Sequence, residues 1–495
     1  MAKTNGDAAS EHRSTEYGHE TKHLTDHVQL LTEQLRRDPG LPVTNSTIAH
    51  WQQPPNQISQ HQSADLPNET DVLIIGSGIT ACGVSKQLLE RDNSLRVTIL
   101  EARNVTSGAT GRNGGHIKAV PEISYSALLP EIGKQKAQEV VHFTLKNVQE
   151  LLKLAEGLPE KQRDYSEVRS VETLNIFTDE EGFAHAKEVV GRFDADNPDL
   201  KGRARIIEKD ELVEKHGVLN AVGGMVSAAG AAWPYRLITS VFGNLLDTCP
   251  ERFSIESNTP VESIEYSADT ATYTAQTSRG PIKARYVVHA TNGHAGHLLP
   301  GIRGALFPLR GQMTAQTPWK DFGVKGGSQS WAIHYGKGFD YITQSPSSGE
   351  IFIGGALINS DPLLEIGNPR DDANCVRSIA HLGGIMDATF GTPVRQEIRA
   401  TWTGVMGFTV DGLPLVGKLP NMATLREGNN EFVAAGYNGY GMPNAYLCGK
   451  YIADLVLGRE HAGSVPSAYL ITEKRLKEMN PAIAAESWMQ AFQKT

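Results

Sequence analysis

Gly76-Ser77-Gly78-Ile79-Thr80-Ala81 has the residue types and spacing of a phosphate-binding turn. Gly76 permits a tight reversal, and Gly78 lets a pyrophosphate touch the backbone. Ala81 stands where a third glycine is usual and is still small enough for close helix–strand packing. A helix beginning here offers free N–H groups and a partial positive charge to phosphate oxygens. Glu101 ends the next apolar stretch, where a carboxylate can accept hydrogen bonds from ribose hydroxyls. A glycine turn in an unrelated α/β chain is the alternative, against which stand the strand before, the helix after and the acid beyond. Nicotinamide and flavin dinucleotides both satisfy this geometry.

A second constellation follows at once. Ser107-Gly108-Ala109-Thr110-Gly111-Arg112-Asn113-Gly114-Gly115-His116 is too rich in glycine for a stable helix or strand. It reads as a plain surface loop, or as a small-sided wall against a bulky planar cofactor with Arg112 and His116 as its polar handles. Other chemistries find no support. There is no GxSxG nucleophile elbow for a hydrolase. Cys82, Cys249, Cys375 and Cys448 form no CxxC pair, so neither a disulfide framework nor a cysteine zinc site is indicated, and Cys82 is a small packing residue. Six of the 16 histidines (His12, His19, His23, His27, His50 and His61) lie in the first 65 residues. His23 and His27 share a helix face but lack further ligands at metal-site spacing, so a solvated face is expected and no metal.

The elements that must hold these groups are a strand at Asp71–Gly76, a helix over 79–91 and a second strand at Arg96–Glu101. Residues 133–156 carry Val140, Val141, Val148, Leu151 and Leu152 at helical spacing. Beyond Glu167 the signals become short and strand-like. Phe253–Tyr266 and Thr272–Val288 read as hairpins, with Arg279-Gly280 at a turn. Residues 331–357 alternate around a break at Ser345–Gly349, and Val394–Asp411 and Phe432–Gly441 precede a helix from about Asn444 to Leu457. Ahead of all this, Leu24, Val28, Leu31 and Leu35 predict a helix from Lys22 that stops at Asp38-Pro39-Gly40. Residues 41–68 read as an extended arm crossing the surface, and about the first 20 residues as disordered by composition.

The chain has 495 residues, more than one core usually supports, which favours two interlocked domains. Hydrophobic residues at 39% and charged residues at 21% describe a globular protein, and a net charge of −9 argues against nucleic acid or an anionic membrane as partner. No apolar signal-peptide core, no run of about 18 apolar residues and no terminal SKL tripeptide occurs, so a reducing cytoplasmic compartment is expected.

The stretch ILEARNVTSGATGRNGGH resembles the cofactor loop of the D-amino-acid-oxidase-like flavoproteins, in particular the group around γ-glutamylputrescine oxidase and its fungal members. The resemblance recurs at Ala290-Thr291-Asn292-Gly293, at Leu309-Arg310-Gly311-Gln312, at Trp402–Pro414 and at Gly436-Tyr437-Asn438-Gly439-Tyr440-Gly441, and covers about residues 66–460. It implies an α/β (α+β) fold, with a Rossmann-like FAD-binding domain interleaved with a mixed β-sheet substrate domain. The implied division is an N-terminal arm at 1–65, FAD-binding segments at 66–156, 227–303 and 404–462, substrate segments at 157–226 and 304–403, and a tail at 463–495. FAD contacts are then expected from Gly76, Gly78, Ile79, Thr80, Glu101, Ala102, Arg103, Gly108, Ala109, Thr110, Arg112, Asn113, Gly114, Gly115, Val261, Ala290, Thr291, Asn292, Gly293, Asp411, Gly436, Asn438, Gly439 and Gly441. The late glycines would expose N–H groups that stabilise negative charge on a reduced flavin; a turn before the last helix is the other reading.

The family oxidises a C–N bond of an amine or amino acid by hydride transfer to flavin, giving an imine that hydrolyses. His116, Arg310 and Trp402 are the expected catalytic residues, with Tyr335, Tyr341 and Gln344 touching substrate, and Arg310 able to hold a substrate carboxylate. Each has a structural alternative as a core or sheet residue. Sarcosine oxidases bind flavin through a cysteine that falls near Gly404 here, and dimethylglycine-type dehydrogenases through a histidine that falls near Arg112. Non-covalent FAD is therefore expected. The oxygen-activating lysine of sarcosine oxidases falls within Arg310–Met313, which holds none, leaving Arg310 or Arg112 to substitute. No second GxGxxG suggests an NAD(P)H domain, so dioxygen is the simplest acceptor, with another electron acceptor open. A specialised-metabolite oxidase, an NAD-dependent dehydrogenase and a non-catalytic flavin-binding protein are the competing readings.

Overall fold

The computed structural model describes residues 25–391, 396–459 and 463–493. The strand Glu69–Ile75 has Val72, Leu73 and Ile74 fully buried, as expected of a parallel strand covered on both faces. It pairs in parallel with Val97–Leu100 on one side and Ile282–His289 on the other. Phe253–Glu256 and Glu431–Ala435 extend the parallel set, and Leu415–Lys418 closes one edge antiparallel. Among the described residues this makes an eight-stranded sheet, with Val261–Ser267 and Thr272–Thr277 folded antiparallel onto Ile282–His289. Phe253–Tyr266 is thus not a hairpin, because Phe253–Glu256 joins the parallel set beside Val97–Leu100.

Among the described residues a nine-stranded mixed sheet forms the other layer, built on the long pair Leu306–Thr317 and Glu397–Thr409. Ile351–Gly355, Gly338–Gln344, Gln329–Tyr335, Arg169–Phe177, Gly223–Ala231 and His116–Ile117 follow in spatial order, and Ala204–Glu208 pairs with Gly223–Ala231. Two expected segment junctions fall inside strands: Gly223–Ala231 runs through 226/227, and Glu397–Thr409 runs through 403/404. His116–Ile117 leaves the glycine loop to pair with Gly230 and Ala231, so the loop ends in this second sheet. Helices Glu180–Asp196 and Pro234–Thr248 interrupt the region expected to be strand-like.

The N-terminal helix covers 25–35 and buries Leu31 and Leu35, while His23 lies outside the described residues. The arm after it crosses the surface, as expected, with Ala49, Trp51 and Ser59 as its buried anchors. Trp51 is 3% exposed, stacked on Phe352 at 3.9 Å and edge-on to Trp233 at 4.8 Å. The tail folds as well, into helices Glu473–Glu478 and Pro481–Gln493.

Candidate functional site

A cavity of about 850 Å³ runs from Glu101, Arg103 and Val261, past the first glycine turn, to His116 and Tyr341 between the sheets. This is the upper part of the range of about 300–1,000 Å³ usual for ligand sites. At the dinucleotide end Gly76 has φ +97°, and a Cβ there would stand 2.8 Å from the Ala290 carbonyl oxygen. The helix Ile79–Arg91 begins at Gly78, and its first turn lines the cavity, with Thr110 Oγ1 accepting from the Ile79 N–H at 3.0 Å. Glu101 Oε2 accepts from the Ser77 N–H at 3.0 Å and its hydroxyl at 2.7 Å, and Oε1 accepts from the Arg103 N–H at 2.9 Å. The carboxylate is thereby fixed at the cavity wall. Ile79, Thr80, Ala102, Ala290, Thr291 and Asn292 complete this end.

Gly108, Ala109, Thr110, Asn113 and Gly114 line the middle of the cavity, opposite Asn438, Gly439 and Gly441. Gly115, Gly293, Asp411 and Gly436 do not line it. Gly115 and Gly293 are pressed on the Ala232 and Met406 carbonyls, Gly436 donates its N–H to Asn292 Oδ1, and Asp411 pairs with Arg475. Arg112 lines the cavity with its guanidinium already engaged. Its guanidinium donates to the carbonyls of Ser107, Thr403 and Thr47 at 2.8 Å each and to Ser46 Oγ, and it lies 3.4 Å from Asp371. Burial pulls it down to about 10, still charged at neutral pH.

The expected catalytic set divides. His116 lines the cavity with Nε2 buried and without a partner, and burial keeps the ring neutral. Tyr341 lines it too, packed where a side chain at Gly114 would sit. Trp402 is fully buried behind the loop, its indole N–H donating to the Arg112 carbonyl at 2.8 Å. Arg310 is turned away and pairs with Glu365 through bonds of 2.6 and 3.1 Å, so it holds no substrate carboxylate. With both guanidiniums engaged, neither Arg310 nor Arg112 is a free cation beside the ring. Gln344 is saturated: it accepts from the Lys325 and Gly326 N–H groups and donates to the Gly323 and Gly349 carbonyls. Tyr335 spends its hydroxyl on Asp340 and Asn359 outside the cavity.

Other residues take the places left open. Lys118, Asn175 and His334 line the cavity beside His116. Lys118 Nζ donates to Asn175 Oδ1 at 2.8 Å, and His334 Nε2 lies 3.4 Å from the same oxygen. Burial draws the Lys118 ammonium down to about 7, against a weaker pull from Glu122. Burial, with Lys118 nearby, takes His334 down to about 3. The signal available was proximity: Lys118 directly follows the short strand His116–Ile117, two residues beyond His116. A second, apolar wall is made by Met406, Phe408, Tyr440, Trp488 and Phe492, the last two from the C-terminal helix.

The family model described as FAD dependent oxidoreductase (DAO) matches residues 71–455. Glycine oxidase of Geobacillus kaustophilus is 25% identical over 407 residues, which cover 80% of this chain and 95% of the relative. Sarcosine oxidase subunit beta of Rhizobium meliloti is 22% identical over 395 residues, covering 77% and 82%. L-Amino acid deaminase from Proteus myxofaciens, solved in complex with anthranilate, superimposes with a TM-score of 0.62 at 18% identity over 87% of this chain and 97% of that one. Iminodiacetate oxidase from Chelativorans sp. BNC1 gives 0.62 at 16% identity over 81% and 98%. At these identities the structural likeness carries the fold. The family model carries the family, not the narrower γ-glutamylputrescine oxidase grouping. The site itself fits FAD: the helix N-terminus at the cavity wall, the turn that a Cβ at Gly76 would fill, and Thr291 Oγ1, buried without a partner at the wall.

Proposed function

The chain belongs to the FAD-dependent oxidoreductase family, and on that premise we propose that it oxidises a C–N bond of an amino acid or amine, with FAD held non-covalently and dioxygen as acceptor. When bound, FAD supplies the two-electron acceptor to which the substrate's hydride equivalent passes, and the imine product hydrolyses. The observation that carries this reading is one continuous cavity joining the dinucleotide turn at Gly76 to the His116–Lys118–His334 pocket.

The protein's own residues supply holding, orientation and exclusion of water. The helix N-terminus at Gly78 and the Thr291 hydroxyl would hold the phosphates, and Glu101 would hold the ribose. Glycine-sided walls at 108–114 and 438–441 leave space for a flat ring, and backbone N–H groups there can stabilise negative charge. The neutral His116 and His334 imidazoles add no charge of their own to the pocket, which suits binding of a neutral amine. Non-covalent binding is supported by the cysteines, none of which lines the cavity. The segment division into FAD-binding and substrate parts, with the junctions moved to the strand ends, belongs to the same proposal.

Anaerobic mixing of the holoenzyme with a panel of amino acids and amines tests the reading. Bleaching of the flavin absorbance by at least one of them is expected, and hydrogen peroxide release in air separates dioxygen from another acceptor. Resistance of the flavin to every donor would favour the non-catalytic alternative, and yellow colour left on acid-precipitated protein would overturn non-covalent binding.

A further inference from the structure

We propose that Lys118 is the anion receptor of the substrate cavity, so that the enzyme selects amines carrying a carboxylate over plain amines. The inference rests on the amine-oxidation reading and takes it from a broad class to a chemical requirement.

The case starts from how the other cations around the cavity are compensated. Arg103 and Arg112 share Asp371, and Arg310 is paired with Glu365. Arg169 donates to the carbonyls of Gly326, Glu167 and Gln344. Lys337 also lines the cavity, but it sits exposed at a hairpin turn where water compensates it. Lys118 differs from all of these. Its one hydrogen bond among the described residues goes to a neutral amide oxygen, Asn175 Oδ1, and no carboxylate lies within ion-pair distance. The carboxyl acting on it, Glu122, is buried with both oxygens unpartnered and is shifted upward by that burial, so it is a poor counter-charge. A charge withdrawn from water without a partner is costly, and a ligand that brings the partner recovers that cost.

The geometry suits a carboxylate in particular. Asn175 is itself anchored, donating to the Met225 carbonyl at 3.2 Å, and it holds one of the three ammonium donors. Two donors remain for the two oxygens of a carboxylate. His116 Nε2, buried and unpartnered at the same wall, offers one more polar contact.

A proton signature follows. Burial brings free Lys118 down to about 7, and a bound carboxylate favours its charged form. Binding above that pH takes up a proton, and affinity falls toward tenfold per pH unit, while below it affinity is level. The charged and titratable groups around Lys118 are His116 on the short strand before it, Glu122 on the following helix and His334 on the strand Gln329–Tyr335, with Asp179, His185, Lys337 and Tyr341 elsewhere on the cavity wall. None of them is altered in a Lys118 variant.

The test titrates oxidised holoenzyme with acetate and phenylacetate, and with phenylacetamide as the uncharged isostere, by calorimetry from pH 6 to pH 9 in two buffers of different ionisation enthalpy. Wild type should prefer phenylacetate to the amide, lose carboxylate affinity above pH 7 and take up a proton there. Lys118→Met should weaken carboxylate binding at pH 6 by about 10- to 100-fold, the scale of a charge-assisted hydrogen bond, and leave the amide unchanged. Lys118→Arg stays charged throughout, and its carboxylate affinity should be level across the range. A pH-independent wild type, equal binding of acid and amide, failure of both carboxylates to bind, or a sloping Lys118→Arg profile each overturns the proposal. The Lys118→Arg profile decides the matter even where Lys118→Met does not fold. These acids donate no hydride, so the outcome is independent of whether any amine bleaches the flavin.

Discussion

Asp371 is the residue on which the cavity's charge balance turns. Its carboxylate, 2% exposed, meets Arg103 through bonds of 2.9 and 3.0 Å and lies 3.4 Å from Arg112 Nε. Arg103 adjoins Glu101, the carboxylate proposed to hold the ribose, and Arg112 spans the glycine loop, so one acid ties both ends of the proposed cofactor site. Asp371→Asn removes the charge while keeping the shape and strands two guanidiniums. It should destabilise the protein by about 3–5 kcal/mol, read as a lowered Tm, and the holoenzyme should release FAD on dilution. Melting and retention like wild type would show that the arginines are compensated elsewhere. None of this was legible from the sequence, and the reason lies in chain separation. Gly76, Gly78 and Glu101 announce themselves because turn, helix and acid are neighbours in one unit. Arg310 and Trp402 mislead because their partners, Glu365 and the Arg112 carbonyl, lie 55 and 290 residues away. A guanidinium or an indole in a sequence does not say whether its donors are already taken. Lys118 is the converse case, unremarkable as a letter and informative only once every neighbouring cation is paired.

Between elements, the first helix of the nucleotide-binding unit packs on the last, and two glycines set the distance. A Cβ on Gly83 of Ile79–Arg91 would collide with the Tyr446 carbonyl oxygen, and one on Gly449 of Ala445–Val456 with that of Thr80. The close-packing role assigned to Ala81 is therefore shared with Gly83, two residues further along the same helix. The contact reaches the cofactor site directly, since Thr80 Oγ1 and Tyr437 OH lie 2.8 Å apart. Gly83→Val should force the helices apart, as overpacking that costs about 1–3 kcal/mol. The expected readout is a faster loss of FAD fluorescence quenching on dilution, with the far-UV circular dichroism unchanged. Retention equal to wild type would mean that the pair relaxes without moving the turn. The strands Glu69–Ile75 and Val97–Leu100 and the two helices were legible because their apolar runs are continuous, whereas Phe253–Glu256 read as half of a hairpin. The helix Pro481–Gln493 was legible but passed over: Ala484, Trp488 and Phe492 recur at a spacing of four, and they put two aromatic side chains at the cavity wall.

At the scale of the whole molecule, the segment before the first strand acts as a tie across both sheets. Its helix at 25–35 packs Leu31 and Leu35 against Phe307 and Ile366, and Asp38 pairs with Arg303. Further along, Ser46 and Thr47 hold Arg112, Gln52 donates to the carbonyls of Ser107 and Gly111, and Ser63 reaches Glu256 in the parallel sheet. Trp51 sits at the centre, its indole N–H donating to the Asn113 carbonyl while its ring fills the gap between Trp233 and Phe352. A glycine-rich loop has little packing of its own, so its order around the cofactor depends on these outside contacts. Trp51→Ala should cost about 3–5 kcal/mol of stability, and it should release FAD faster than the loss of stability alone accounts for, because the loop loses its anchor. Trp51→Phe keeps an apolar ring in the gap and loses the donor, so it should melt near wild type yet still release FAD faster. Stopped-flow dilution with flavin fluorescence, set beside thermal melts of both variants, separates packing from anchoring. A Trp51→Phe protein that retains FAD as well as wild type would reduce the arm to a packing element and return the ordering of the loop to Arg112 and Asp371.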